Sequence, residues 1–306
     1  MGRGEGVIDS CHLATLLDPS SANPLNGILI IRLNQNAFFD SLGGRLAEFC
    51  ELDMCCPEVR LPYKMAPILE AVLAFHWLPK KSLTELGAVL KSSAFEGFGE
   101  PNGRVEIATG VDLEGGAFSH QQRQVGYQTA LRDGSQVVFL EEGAFIFIQR
   151  APYDRWERFS ERALTLLAPT VSMLGITEFS RVGLRFVNRI DIPTNGAAGI
   201  NTDAYVKVKF DGPRHDKGEI EEFQMRVVKP SEKKGLAYAL VLATTPSPLA
   251  DHSAILLDID VFTRQPLPAA GEELLAMLGE MRLEKNDIFE SCLTDQARKL
   301  FGGVEE

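Results

Sequence analysis

The chain has 306 residues, of which 45% are hydrophobic and 24% charged, the composition of a globular protein that can bury a large core. Its formal net charge of −11 argues against general binding to nucleic acid or to an anionic membrane. The longest apolar runs, at 27–31 and 236–243, are far shorter than the roughly 20 residues that a membrane-spanning helix needs. Because no basic segment leads into an apolar run near the start, we expect a cytoplasmic protein.

The cysteines and histidines do not fall at metal-ligand spacing. No CxxC pair occurs among the five cysteines, which are Cys11, Cys50, Cys55, Cys56 and Cys292. We therefore expect reduced thiols, and the sequence predicts neither a metal site nor a cofactor. Asp258 and Asp260 share a strand face and could hold Mg²⁺, but no third acidic ligand stands near them.

Residues 1–53 differ from the rest of the chain. Glycines and a DPSSANP segment open this stretch, followed by a possible short strand in NGILIIRL and a weak helix at 36–51. One hypothesis is that translation naturally starts at Met54 or Met65, which makes 1–53 a poorly ordered or peripheral extension. The alternative is a true N-terminal strand and helix packed at an edge.

The first part of the remaining chain alternates between strand and helix signals. A run between Pro67 and Pro79 predicts a strand, and Ser82 with Glu85 forms a capping box that starts a helix. The Asp-Gly turn at 133–134 predicts a hairpin. The predicted elements are a strand at 66–78, a helix at 82–94, a long loop over 95–122 that could include a short strand at 104–108, hairpin strands at 125–132 and 136–149 split at 142–143, and a helix at 152–167 ended by Pro169.

The second part repeats this succession. The predicted strands are 179–192, 223–229, 236–245, which is apolar on both faces and is placed centrally in the sheet, and 254–262. A long helix begins near Glu272. Thr294 caps a last short helix, which stops at the glycines 302–303. Together these patterns predict an α+β fold: an antiparallel, meandering sheet in two similar halves, about 66–175 and 176–306 of a single domain 54–306, with long amphipathic helices packed on one face.

The longest strict alternation is RVGLRFVNRIDIP, residues 181–193. It places apolar side chains on one strand face and Arg181, Arg185 and Arg189 on the other, each about 13 Å from the next at roughly 3.3 Å per residue. Arg226 could join them from a nearby strand. Such a row of guanidinium groups could bind a phosphorylated or carboxylate ligand.

The same arginines could instead be neutralised within the protein. Asp258 and Asp260 line the outer face of one strand and Glu70 stands in another, so cross-strand ion pairs could satisfy the whole row. Spacing alone does not decide between a ligand and ion pairing, because strand order is unknown. Nucleophilic catalysis has little support, since the sequence contains no GxSxG, HExxH or P-loop motif. Tyr153 and Trp156 fit core anchors better than a ligand cage.

Four segments occur in an order that resembles one protein family. They are PILEAVLAF at 67–75, APYDRWERF at 151–159, RVGLRFVNRIDIP at 181–193 and KNDIFESCLTDQARKLFG at 285–302. The chain from about Met54 onward resembles the sporadically distributed, uncharacterised prokaryotic family with PIxEAVxxF, PYxxWxxF and RxGLRYxNRI motifs. Phe186 stands where the family pattern has tyrosine, which removes one hydroxyl. The resemblance implies no particular activity, but patchy distribution implies horizontally moved genes and therefore a mobile or defence-related context.

From these observations we expect a non-catalytic binding or interaction component that works with a protein partner or as a homo-oligomer. The alternative is an enzyme or sensor that binds an anionic, phosphorylated small ligand at the arginine face. We expect no membrane association. Nucleic-acid binding is the least favoured option because of the acidic balance of the chain.

Overall fold

A computed structural model describes residues 28–31, 63–111, 118–194, 201–208 and 222–302. Its chain falls into two compact units, a smaller one of residues 1–37 and 103–125 and a larger one of residues 38–102 and 126–306. The strands are β1 Ile28–Ile31, β2 Ile68–His76, β3 Asn102–Val111, β4 Phe118–Ala130, β5 Gln136–Glu141, β6 Ala144–Arg150, β7 Glu178–Phe179, β8 Arg181–Pro193, β9 Gln224–Pro230, β10 Leu236–Pro246, β11 His252–Thr263 and β12 Leu267–Pro268. The helices are α1 Leu83–Leu90, α2 Trp156–Leu174, α3 Glu272–Cys292 and α4 Asp295–Leu300.

The smaller unit contains β1, β3 and the first part of β4. β1 pairs antiparallel with β3, with Ile28 opposite Gly110 and Ile31 opposite Ile107. The short strand expected at 104–108 lies within β3, but the prediction that the rest of 95–122 is a loop is wrong, because β3 and β4 occupy much of it. Glycine and charge in this stretch had indicated a loop, whereas pairing with β1 stabilises a strand there. The short strand expected in NGILIIRL is present as β1; the rest of 1–53 lies outside the described residues.

The larger unit is built on an antiparallel sheet. From the end of β4 the strand order is β4, β5, β6, β2, β8, β11, β10, β9, so β2 and β8 lie side by side in its interior. The order confirms the expected α+β class with a large antiparallel sheet. The prediction that the apolar strand 236–245 lies centrally is wrong, because β10 is next to the edge strand β9. Its apolar character reflects burial against β11 and α3 rather than a central position.

One hydrophobic core joins one face of this sheet to the helices. Leu73, Leu184 and Ile259 contribute from three neighbouring strands and are fully buried. Each helix adds side chains to the same cluster: Leu86 from α1, Leu166 from α2, Leu278 from α3 and Ala297 from α4. The described helices therefore pack on the side of the sheet that carries Leu184, and the other side carries Arg185.

Helix ends follow the predicted capping in two places and depart from it in one. Ser82 and Glu85 form the reciprocal capping box of α1, and the Thr294 hydroxyl accepts a hydrogen bond from the Ala297 amide of α4. The prediction that Pro169 ends α2 is wrong, because the helix continues to Leu174. Thr170 and Leu174 are buried beyond the proline, so packing outweighs the backbone hydrogen bond that proline removes. α2 ends instead at Gly175, whose φ is 61°.

Candidate functional site

Strand β8 has one apolar face and one cationic face, as its alternation predicts. Val182, Leu184, Phe186, Ile190 and Ile192 are buried in the core. Arg181, Arg185 and Arg189 lie half-buried on the opposite face. We call the opposite face of β8, β11, β10 and β9 the arginine face; it also carries Asp258, Asp260, Val241, Leu256, Val228 and Arg226.

The register between β8 and β11 gives two of the arginines a carboxylate partner. Arg185 donates from Nε and Nη2 to the two oxygens of Asp258, at 2.8 and 2.7 Å. Asp258 lies opposite Val187, so this ion pair runs diagonally across the strands. Arg181 donates to Asp260 at 2.9 Å, reaching past Gly183. Positive side chains of β8 therefore lie beside negative side chains of β11, as expected if the arginines are neutralised by ion pairs within the protein.

Gly183 and Phe262 hold the Arg181 side chain against the sheet. They lie opposite each other across the two strands. The Arg181 guanidinium carbon lies 4.6 Å from the centre of the Phe262 ring. A Cβ at Gly183 would come within 2.9 Å of Arg181 Nη1, so the absence of a side chain leaves room for the guanidinium to lie flat.

The remaining predicted residues of this site have different surroundings. Arg189 pairs with Asp191 on its own strand at 3.1 Å, and Ser247 donates a hydrogen bond to the same carboxylate at 2.7 Å. Glu70 pairs with Arg150 of β6 at 3.3 Å. Arg226 is exposed on the edge strand, with β10 between it and Asp258. The structure thus brings together Arg181, Arg185, Asp258 and Asp260, places Glu70 at the side of this cluster, where its charge acts on Arg185 although its ion pair is with Arg150, and leaves Arg226 outside.

Burial and charge act against each other in this cluster. Burial by itself would lower the pKa of Arg185, but the hydrogen bonds and charge of Asp258, with the charges of Asp260 and Glu70, raise it. Burial raises the pKa of Asp260, and the nearby charges of Arg181 and Arg185 oppose that rise. Arg185 therefore stays charged, and the neighbouring carboxylates balance its charge within the protein.

Asn188 is a buried polar residue of this strand that the pattern of alternation does not reveal. It occupies an apolar position and is 2% exposed. Its amide nitrogen donates to the carbonyl oxygens of Leu257 at 3.0 Å and Phe186 at 3.3 Å, where the register between β2 and β8 shifts at Ile68. The sequence signal for this residue is an asparagine within an apolar run, because a buried side-chain amide needs hydrogen-bond partners.

A second group of cations lies on the helix side of the sheet. The Lys285 amine of α3 is 4.1 Å from the centre of the Phe186 ring, whose edge also contacts Tyr153. The pKa of Lys285 is lowered to about 8, mainly by burial and also by the charge of Arg282, while the charge of Glu290 opposes the shift. Trp156 lies against Arg282. Tyr153 and Trp156 also contact Phe159 of the core, in agreement with their predicted role as anchors.

The part of the chain that the structure describes offers no metal site and no group of three potential metal ligands. Cys292 is a buried free thiol, and the other four cysteines lie outside the described residues. Of the described helices, none has the length and apolar character that crossing a membrane requires. No protein-family model matches the sequence, and a comparison with curated proteins finds no match either.

Proposed function

We propose that this protein is a non-catalytic binding component that recruits a protein partner through the arginine face. The observation that carries the proposal is that this sheet face bears half-exposed aliphatic side chains around ion pairs that are already satisfied. Val187, Leu256 and Val241 are half-buried, and Val228 on the edge strand is 45% exposed. Packing another protein against such side chains removes apolar surface from water.

The ion pairs make a protein surface a better occupant than a small anion. The Asp258 carboxylate already accepts two hydrogen bonds from the Arg185 guanidinium. A phosphate that bound Arg185 would therefore have to displace Asp258 or lie beside it. The negative charges of a phosphate and of the Asp258 carboxylate, held side by side, would repel each other strongly. A protein surface can cover the paired charges without breaking them. We infer a partner with an aliphatic centre and a carboxylate opposite Arg226, which is exposed and has no ion pair among the described residues.

Co-expression with the proteins encoded by neighbouring genes tests this proposal. We expect a complex that survives size-exclusion chromatography and is lost in Val241→Glu and Val228→Glu, because each puts a charge in the apolar part of the face. Leu283→Glu is the matched control, since Leu283 is 44% exposed but lies on α3, on the other side of the sheet. Thermal melting verifies that each variant is folded.

The result would contradict the proposal if the complex survived both face variants or was lost only with Leu283→Glu. Light scattering of the protein alone covers the case in which the partner is a second copy. A dimer that Val241→Glu dissociates would make the face a homo-oligomer interface.

A second candidate function is recognition of an anionic small ligand at the same face, as an enzyme or sensor. The exposed Arg226, together with the partly exposed Arg181 and Arg185, favours it. A thermal-shift panel of nucleotides and phosphates separates the two candidates. Stabilisation that disappears in Arg226→Gln and Arg185→Ala supports the ligand, whereas an unchanged melting temperature across the panel supports the protein partner. Binding of nucleic acid would instead weaken steeply with added salt.

We propose further that the chain is organised in two similar halves, 66–175 and 176–306, with the long helices α2 and α3 in equivalent places. The strand order supports this: from the interior outward one side reads β2, β6, β5, β4 and the other reads β8, β11, β10, β9. In both sets the first strand in sequence is innermost, the next three follow from the outermost of the set inward, and a long helix comes next in the chain. An experimental structure in which the two sets of four strands superpose in this order tests the idea.

The resemblance to the sporadically distributed prokaryotic family is part of the same proposal. Its motif segments include β2, the start of α2, β8 and α3 with α4, which meet in one core of the larger unit. Such a family context favours a role in a mobile or defence-related gene system, with the partner encoded nearby. Co-expression with neighbouring genes is therefore the first experiment to perform.

A further inference from the structure

A cleft of about 280 Å³ lies on the helix side of the larger unit, between the edge of the sheet and α3. Strands β9 and β10 form one wall, where Val227 lies opposite Leu240 and Lys229 opposite Tyr238. The other wall is the last turns of α3, including Ile288. This cleft is separated from the arginine face by the sheet, so it does not belong to the site described above.

Apolar side chains of the two walls together form what we call the apolar floor of the cleft, and polar groups lie around them. Met225, Val227, Leu240 and Ile288 form the apolar part. Lys207 and Lys229 are exposed. Within the described residues neither lysine has an ion pair, and the Tyr238 hydroxyl has no hydrogen-bond partner. Two free cations and a free phenol around an apolar floor match a ligand with an apolar body and one anionic group.

The segment that carries Lys207 is fixed to the end of α3. The Lys207 amide donates to the Cys292 carbonyl at 2.8 Å, and Val206 forms an isolated bridge with Leu293. The Thr294 hydroxyl donates to the Ala204 carbonyl at 2.6 Å. These bonds hold the backbone at Lys207 in place before any ligand binds, which lowers the entropy lost on binding.

We propose that this cleft binds a small amphipathic anion, a carboxylate or phosphate monoester with a short aliphatic or aromatic body. The body packs against Val227, Leu240 and Ile288. The anionic group is held by Lys207 and Lys229, and the Tyr238 hydroxyl donates a hydrogen bond to it. At about 30 Å³ per water molecule, the cleft has room for about nine non-hydrogen atoms, so hexanoate fits inside it and octanoate, which is slightly larger, fills it.

Isothermal titration calorimetry with a series from butyrate to octanoate tests the proposal. Each added CH₂ buries more apolar surface, so we expect affinity to rise about threefold to fourfold per carbon until the cleft is full. The double variant Lys207→Gln/Lys229→Gln should weaken octanoate binding at least tenfold. The matched control is Lys234→Gln, which changes an exposed lysine in the turn between β9 and β10 outside the cleft.

A further variant distinguishes the cleft from the rest of the surface. Val227→Phe fills the apolar floor and should abolish octanoate binding while the variant still melts cooperatively. Absence of binding at about 10 mM probe, or binding that the double lysine variant leaves unchanged, would overturn the proposal. Val241→Glu on the arginine face should leave octanoate binding intact, so this result and that of the partner experiment are independent.

Discussion

Arg185 and Asp258 are joined by two parallel hydrogen bonds that cross diagonally between β8 and β11, with the carboxylate side chain only 9% exposed. Asp258→Ala leaves the Arg185 guanidinium half-buried without its main partner. We expect the free energy of unfolding to fall by about 2–4 kcal/mol, somewhat below the loss for a fully buried pair. Urea denaturation at pH 7 measures the change.

The double variant Arg185→Ala/Asp258→Ala shows whether the loss comes from the unpaired charge. Because it removes both charges, it should be less destabilised than the sum of the two single variants. The pair of Arg158, in the first turns of α2, and Asp154, just before the helix, is the control, since both side chains are more than half exposed. Asp154→Ala should lower stability by less than about 1 kcal/mol. Equal losses at both pairs would show that burial does not matter here.

Two glycines of the larger unit should respond in opposite ways to alanine. A Cβ at Gly126 of β4 would overlap the carbonyl oxygen of Leu140 and lie 2.6 Å from the Glu141 Cα, and neither backbone atom can move without disturbing the pairing with β5. Gly126→Ala should therefore lower stability by more than about 2 kcal/mol. Gly279 lies within α3 with open space around it, so Gly279→Ala should raise stability by about 0.5–1 kcal/mol. Thermal melting of both variants checks the contrast, and a loss at Gly279 would contradict it.

Asn188 should be intolerant of an apolar substitute even though its neighbours are apolar. Asn188→Leu leaves the carbonyl oxygens of Leu257 and Phe186 without the amide that now donates to them. We expect a loss of about 1–3 kcal/mol, the penalty for a buried unsatisfied polar group. Gln149→Leu serves for comparison, because Gln149 donates to the Arg150 carbonyl at the surface. If Asn188→Leu were as stable as the original protein, water or backbone adjustment must satisfy those carbonyls.

Local sequence patterns predict the helices and strands better than they predict how these elements are arranged in the fold. Alternation in 181–193 predicted both faces of β8, and the capping chemistry of Ser82 and Thr294 predicted two helix starts. The sequence makes both Arg185 and Asp258 candidates for the site. Their diagonal pairing depends on the register between β8 and β11, which the sequence of one strand alone does not specify. Pro169 predicts a helix end because a proline lacks an amide hydrogen, but burial of the turn that follows it keeps α2 helical to Leu174.

The position of Lys285 could not be predicted for a related reason. In sequence it belongs to a helix with charged and apolar residues mixed, and only the packing of α3 over β8 puts its amine against Phe186. The same holds for the cleft beside Lys207 and Lys229. Those lysines are distant in sequence, and they come together because the turn after residue 204 is bonded to the end of α3.

Lys285 should make the stability of the protein depend on pH in the alkaline range. Its pKa is about 8 in the folded protein against 10.5 for an ordinary lysine, because burial and the charge of Arg282 disfavour the ammonium form, while Glu290 offsets part of the effect. Below pH 8 the amine is charged in both states, and the folded state bears the full penalty. Between about pH 8 and 10.5 the unfolded chain holds more protons, so the penalty is relieved and this contribution to stability rises with pH.

Lys285→Met removes the charge and keeps most of the apolar side chain. We expect it to raise the free energy of unfolding at pH 7 by about 1–2 kcal/mol, less than the full pKa difference implies, because contact with the Phe186 ring is lost. The gain should shrink as pH rises toward 10.5. Lys233→Met is the control. Lys233 forms ion pairs with Glu280 and Glu284 of α3, so this variant should not be more stable than the original protein. Urea denaturation of both variants between pH 7 and 10 measures this difference, and a gain at Lys285 that stayed constant with pH would show that the amine is not the cause.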